Sequence, residues 1–288
     1  MKYLVVKAWL GFGDRLESLK MAVAFAQAFK LQIFVDWSDE MWSHNGESFY
    51  TYFKLNIPTL NSLDDIPEAA SVYPSYWQGK VKDKLTKEMV DKSGELGINI
   101  GVLNKDFGAD VVVFSSIGYR TLYPDSKFFG EVFRVIDPRI LHKLRERKQK
   151  YPIEKSWGIH IRGTDRLRPH KRILSVQSLV SLAVTNGALN GPKMTVVSDD
   201  KENALIWKRF FPESFLVSEL SLQQNSLAGN HNLSKDALQT SKDEMNVDMI
   251  TDFFTLASCY PIYTTCKDSR FAHEARRLHP FVNMILGQ

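Results

Sequence analysis

Cysteine is nearly absent from this 288-residue chain; only Cys259 and Cys266 occur. Their spacing rules out a C-x-x-C site, and so sparse a pair cannot build a disulfide scaffold. They read as buried free thiols. No run of about 18 apolar residues exists, so no hydrophobic membrane-spanning helix is expected. The apolar start, Met1 to Leu10, is broken by Lys7 and too short for a signal peptide. It reads as a first strand, and a cytoplasmic or otherwise soluble protein is expected. Neither sign of charge dominates: 37 Lys and Arg against 33 Asp and Glu leave an interspersed +4. A nucleic-acid partner would leave a basic stripe, and none is present. Catalytic signatures are missing too. There is no Walker pattern and no G-x-S-x-G, and Leu16 stands where a G-x-G-x-x-G fingerprint needs its third glycine.

What is present is an α/β alternation in a composition of 44% hydrophobic and 24% charged residues, as in a globular protein. Tyr3–Trp9 reads as a buried strand and Gly11-Phe12-Gly13 as a turn. Leu16, Leu19, Val23, Ala26 and Phe29 recur at helical spacing, and Gln32–Val35 is a second strand. Asp14 and Glu17 form a D-x-x-E helix-start signal. Residues 38–108 are less regular and rich in aromatics, and Val111–Ser115 is a further strand. The charged segment 143–150 reads as a solvated helix end or connector.

The second half alternates again. Strands are expected at Trp157–Ile161, Met194–Val197, Phe215–Val217 and Ile262–Thr265. Helices are expected at Val176–Val184, Glu202–Phe210, Met245–Ser258 and Arg270–Leu278. A long polar loop spans about 221–242, and a final apolar run covers Phe281–Leu286. The pattern implies parallel sheets covered on both faces. Two such halves suggest two facing Rossmann-like domains, 1–147 and 148–288.

Chemistry concentrates where strands end. Gly158-Ile159-His160-Ile161-Arg162-Gly163-Thr164-Asp165-Arg166 delivers an arginine to the rim of a sheet, where ligands bind. A guanidinium there suits phosphate oxygens; the alternative is a rim salt bridge, for example with Asp165. His160 is either a hydrogen-bonded strand histidine or a ligand contact. Gly11 and Gly13 make a structural βα turn or let a ligand approach the backbone, with Arg15 facing it. Ser198-Asp199-Asp200 offers paired carboxylates for a metal, or a helix cap. Asp252 lies within a predicted helix as a solvated or capping carboxylate. Ser269-Arg270-Phe271 opens the last long helix, whose N-terminus suits a phosphate.

In this order the segments resemble the α1,6-/protein-O-fucosyltransferase superfamily, closest to the nodulation fucosyltransferases. Gly11-Phe-Gly-Asp-Arg-Leu-Glu-Ser-Leu19 is similar to the family's G-x-G-[ND]-x-L opening, and Phe34-Val-Asp-Trp37 to its second strand. His160-Ile-Arg-Gly-Thr-Asp-Arg166 resembles the H-x-R-x-x-D phosphate motif. Val196–Asp200, Asp252–Ser258 and Ser269–Ala272 resemble the later donor motifs.

The resemblance implies a GT-B-like, inverting glycosyltransferase that moves fucose from GDP-fucose onto a glycan acceptor, with no cofactor and no required metal. The donor would be held mainly by the C-terminal domain, with the N-terminal domain on the acceptor side. Arg162 matches the essential arginine that contacts the β-phosphate. His160 and Asp252 match positions that hold the guanine nucleotide. Gly11, Gly13, Asp14, Arg15, Asp165, Asp200, Ser269, Arg270 and Phe271 are further donor-side candidates. Two departures stand out. Gly163 occupies the place of a second arginine in some relatives, for which Arg166 or Arg168 could substitute. His170 stands where core fucosyltransferases carry a glutamate base; it is either the base, for which a histidine's ordinary pKa of about 6.5 is suited, or a loop histidine beside Pro169 and Lys171. Alternatives are another donor (GDP-rhamnose, GDP-mannose or UDP-xylose) or a non-catalytic nucleotide- or glycan-binding protein. Trp42 and Trp77 are candidates to stack on acceptor sugars, or belong to the core.

Overall fold

The computed structural model describes residues 2–100, 103–116, 126–163, 175–187, 191, 193–224 and 235–288. The chain divides into two compact units, 1–136 with 283–288, and 137–282.

In the first unit, β1 (Tyr3–Ala8), α1 (Phe12–Ala28) and β2 (Gln32–Asp36) form the expected βαβ start. Short elements follow: α2 (Phe49–Tyr52), β3 (Phe53–Leu55), β4 (Val72–Tyr73), α3 (Lys87–Asp91) and α4 (Ser93–Leu96). Then come β5 (Val111–Ser116), α5 (Ser126–Val132) and β6 (Phe133–Val135). The sheet runs β2-β1-β5-β4 with every pairing parallel. β3 and β6 form a separate antiparallel pair. Helix α1 starts earlier than its D-x-x-E signal implies. Gly11 is the N-cap, which puts Asp14 inside the first turn.

The irregular aromatic stretch is core. Trp37 meets Trp42 at 4.8 Å and Phe49 at 5.1 Å between ring centroids. Phe12 stacks on Trp42 and Phe53. Such edge and offset contacts add to the area buried. Trp42 is 2% exposed and Trp77 0%, so neither is a platform for an acceptor sugar.

In the second unit, α6 (Pro138–Lys150) begins with Asp137 as N-cap and proline in the first turn, a favoured start. The charged segment 143–150 is the end of this helix. Most of it is solvated, but Ile140, Leu144 and Arg147, at helical spacing, are buried. The succession continues with β7 (Trp157–Ile161), α7 (Val176–Thr185), β8 (Met194–Ser198), α8 (Lys201–Phe210) and β9 (Phe215–Leu216). The loop expected after it contains α9 (Leu220–Gln224). It ends where a Ser241/Glu244 capping box starts α10 (Lys242–Ala257). Next come β10 (Ile262–Thr264) and α11 (Arg270–Leu278). The final apolar run is helical, α12 (Val282–Leu286).

The second sheet is also parallel, in the order β10-β7-β8-β9. Strand β7 is buried on both faces. Trp157, Ile159 and Ile161 pack with Val176, Leu179 and Trp207 from α7 and α8. On Gly158 a Cβ would lie 2.9 Å from Leu256 and Cys259 side-chain atoms. That glycine therefore lets α10 approach the sheet closely. The strand order reverses between β7 and β10. Such a switch point opens a crevice at the carboxyl ends of the strands, where α/β sheets bind ligands.

Candidate functional site

Arg162 and Gly163 leave β7 at this switch point. The Arg162 backbone N–H donates to Thr265 Oγ1, just beyond β10, at 2.9 Å. Its guanidinium pairs with Asp199, just beyond β8. The other Asp199 oxygen accepts the Gly163 N–H at 2.8 Å. Three strand ends thus fix the arginine, while 23% of its side chain stays exposed. Asp199 is the salt-bridge partner seen. Asp165 and His170 lie outside the described residues, as do Thr164, Arg166 and Arg168.

His160 sits one alternation back on β7. Its Nδ1 is 2.9 Å from Thr264 Oγ1, and its ring stacks on Phe271 at 5.3 Å. Burial, then the Arg162 and Arg276 guanidiniums, push its pKa down to about 3. The imidazole is therefore neutral near pH 7 and adds no charge repelling a cation. Phe271 also meets Phe253 edge-on at 5.1 Å. Ser269 caps α11, its Oγ accepting the Ala272 N–H at 3.3 Å. Arg270, partly exposed, is the first residue of that helix. A helix N-terminus beside a guanidinium favours an anion.

Asp200 is the N-cap of α8. Its Oδ1 accepts the Asn203 N–H at 3.0 Å, and its Oδ2 the Asn203 amide at 2.6 Å. It also explains Gly163. A Cβ on Gly163 would lie 2.6 Å from Asp200 Cγ and closer still to its Cβ and Oδ2. Asp200 thus occupies the space that a side chain at position 163 would need. Among the described residues, no three His, Cys, Asp or Glu side chains gather as a metal site would need.

Asp252 departs from the sequence reading of a solvated or capping carboxylate. It is 3% exposed, in the middle of α10. Arg147 donates to its Oδ1 at 2.7 Å and Ser218 Oγ to its Oδ2 at 2.5 Å. Arg147 also reaches Thr255 Oγ1 at 3.0 Å. The carboxylate is used for holding α10 against α6, since Arg147 reaches it from there. Asp248, one turn earlier, is also buried, and burial and the Asp252 charge push its pKa up to about 7. Burial raises Asp252 as well. The cluster is tied to the rim: Ser218 Oγ accepts the Ser198 N–H at 2.9 Å, and Ser198 Oγ accepts the Asp200 N–H at 2.9 Å. Sequence reasoning missed Arg147 because it lies in a charge run with little apolar pattern around it.

In the first unit, the turn after β1 is strained. Leu10 has φ +75°, whereas Gly11, at φ −74°, is ordinary. Arg15 is enclosed. It is 1% exposed, and its guanidinium makes a two-point pair with Asp39 at 2.7 and 2.8 Å. Its Nε donates to the Leu10 carbonyl at 3.0 Å, so it braces the strained turn. Gly13 is buried and Asp14 partly exposed in the same turn. The second unit thus gathers Arg162, His160, Asp200, Ser269, Arg270 and Phe271 around the ends of β7, β8 and β10. Gly11, Gly13, Asp14 and Arg15 belong to the other unit.

No protein-family profile matches the chain, and no curated protein sequence matches it. Its fold, however, matches solved structures. The fucosyltransferase NodZ from Bradyrhizobium aligns at TM-score 0.68 and 16% identity, over 96% of this chain and 93% of that one. NodZ alpha-1,6-fucosyltransferase soaked with GDP-fucose aligns at 0.66 and 15%, over 99% and 93%. POFUT1 in complex with GDP aligns at 0.57 and 13%, over 99% and 97%. At such identities the likeness is one of fold. The chain has the α/β, GT-B-like fold of these fucosyltransferases, with a parallel sheet in each unit.

Proposed function

We propose that the protein is an inverting glycosyltransferase that takes fucose from GDP-fucose and passes it to a glycan hydroxyl. The observation that carries this reading is Arg162, held at the switch point by Asp199 and Thr265 and still partly exposed. The fold it shares with fucosyltransferases seen with GDP and GDP-fucose supports the donor. The second unit holds the donor. The acceptor hydroxyl attacks the anomeric carbon, the bond from that carbon to the β-phosphate oxygen breaks, and charge grows on the phosphate. A cation fixed beforehand stabilises that charge more in the transition state than in the ground state. Arg162 supplies it, and the α11 N-terminus, capped by Ser269, is proposed as a second contact to the phosphates. His160, neutral and flat against Phe271, walls the nucleotide side. His170 is the proposed base.

A thermal-shift panel of GDP, UDP and their sugars tests the donor, because a ligand that binds only the folded state raises its melting temperature. GDP-selective stabilisation is expected, and UDP selectivity overturns the donor. Turnover in EDTA is expected to be complete. Strict dependence on manganese would instead make Asp199 and Asp200 metal ligands.

A further inference from the structure

The first unit contains a cavity of about 330 Å³ at the carboxyl end of β2, which the donor chemistry does not use. Asp36, Ser62, Asp64, Lys82, Lys84 and the Phe34 ring line it. Its volume lies at the small end of the ~300–1,000 Å³ typical of small-molecule sites. Most of its charge is already paired: Lys82 with Asp64, and Asp36 with Lys7 behind it, which leaves Lys84 as the one unpaired charge among the lining residues named. One exposed ammonium is a weak holder of a phosphate, which clustered or forked cations recognise.

Asp36 is fixed in place. Its carboxylate pairs with Lys7, which is fully buried, also donates to the Asp83 carbonyl at 2.7 Å and lies 5.2 Å over the Trp77 ring. Asp36 Oδ1 also accepts from Ser38 Oγ at 2.5 Å; each carboxylate oxygen still has a second lone pair that can accept from a hydroxyl group. Lys84 is exposed and makes no ion pair or hydrogen bond among the described residues, so its ammonium can donate. Phe34 adds an apolar wall. A fixed acceptor, a free donor and an apolar face match a sugar ring, with hydroxyls on its edge and C–H groups on its faces.

We infer that this cavity is a subsite for one neutral saccharide unit of the acceptor, with Asp36 accepting from its hydroxyls and Lys84 donating. The inference rests on the glycosyl-transfer reading above. Saturation-transfer NMR with neutral oligosaccharides of glucose, galactose, mannose and N-acetylglucosamine tests it. At least one should bind the native protein. Lys84→Ala should weaken that binding about tenfold, the loss of one charged hydrogen bond. Lys84→Arg should restore most of it. No binding by any of them, equal binding by Lys84→Ala, or displacement by inorganic phosphate each overturns the subsite. GDP stabilisation, measured on the same proteins, should be unchanged by Lys84→Ala. Its absence in the native protein would fail the donor reading separately.

Discussion

Gly163→Ala is a sharp test of how the rim is built. The φ of Gly163 lies outside the left-handed region, so the backbone itself would accept alanine. Space would not: the new methyl would overlap the Cβ and Oδ2 of Asp200. Asp200 cannot swing away freely, because it caps α8 through the Asn203 N–H. Losing that cap costs about 1 kcal/mol, and forcing a methyl into a packed site about 1–3 kcal/mol. Gly163→Ala should therefore destabilise by about 2–4 kcal/mol in total. Asp200→Gly removes every overlapping side-chain atom, and glycine is a tolerable N-cap, so it should cost only about a few tenths of a kcal/mol. The double variant should recover most of the stability, giving a coupling of about 2 kcal/mol. Urea unfolding followed by Trp157 and Trp207, both in the core of this unit, reads it. Native stability for Gly163→Ala, or the same loss in the Asp200→Gly background, refutes the steric account.

Arg15→Met should destabilise by about 3–5 kcal/mol, because it leaves Asp39 buried without its partner, whereas Arg15→Met with Asp39→Leu should come close to native. A stable Arg15→Met protein that loses only GDP affinity would return Arg15 to the ligand. Opposed groups set the pH dependence of stability: Asp248 and Asp252, both raised by burial, against His160, lowered by it. Asp248, at about 7 when folded against about 4 unfolded, keeps a proton in the native state that the unfolded chain has released. Its contribution falls as pH rises through that window, by up to ~1.4 kcal/mol per unit. His160, at about 3 when folded against about 6.5 unfolded, refuses a proton that the unfolded chain takes, so its contribution falls as pH drops. The raised carboxylates and the histidine offset each other where they overlap. Relative to the native protein, Asp248→Asn should make the slope of stability between about pH 4 and 6.5 more positive, and His160→Gln should make it more negative; unchanged profiles contradict the assignment. Burial pushes the Cys259 thiol up to about 12, so iodoacetamide should label it only after unfolding.

The strands and helices of the alternating framework were legible because their apolar residues run long enough to show a period. Trp157–Ile161 and Arg270–Leu278 are placed as expected. The short elements between β2 and β5 were not, because strands as short as β4, with two residues, leave no period. The rim was legible in outline, since Arg162 stands where an apolar run turns polar. Its partner was not: Asp199 lies 37 residues away, and only the parallel pairing of β7 with β8 brings them together. Buried charges mislead a sequence reading most. Arg15, Arg147 and Asp252 have the residue types of a ligand site or a solvated face, yet each is enclosed by a partner from a distant segment. Gly163 shows the converse, because its meaning lies in the side chain that crowds it.

The central claim is that Arg162 stabilises the departing nucleoside diphosphate. Release of GDP from GDP-fucose, followed with the native protein and with folded Arg162→Ala and Arg162→Lys, tests it most directly. The native protein should turn over. Both variants should lose at least about 100-fold in rate, the scale set by removing a key transition-state donor. Near-native turnover by a folded Arg162→Ala protein would contradict the account.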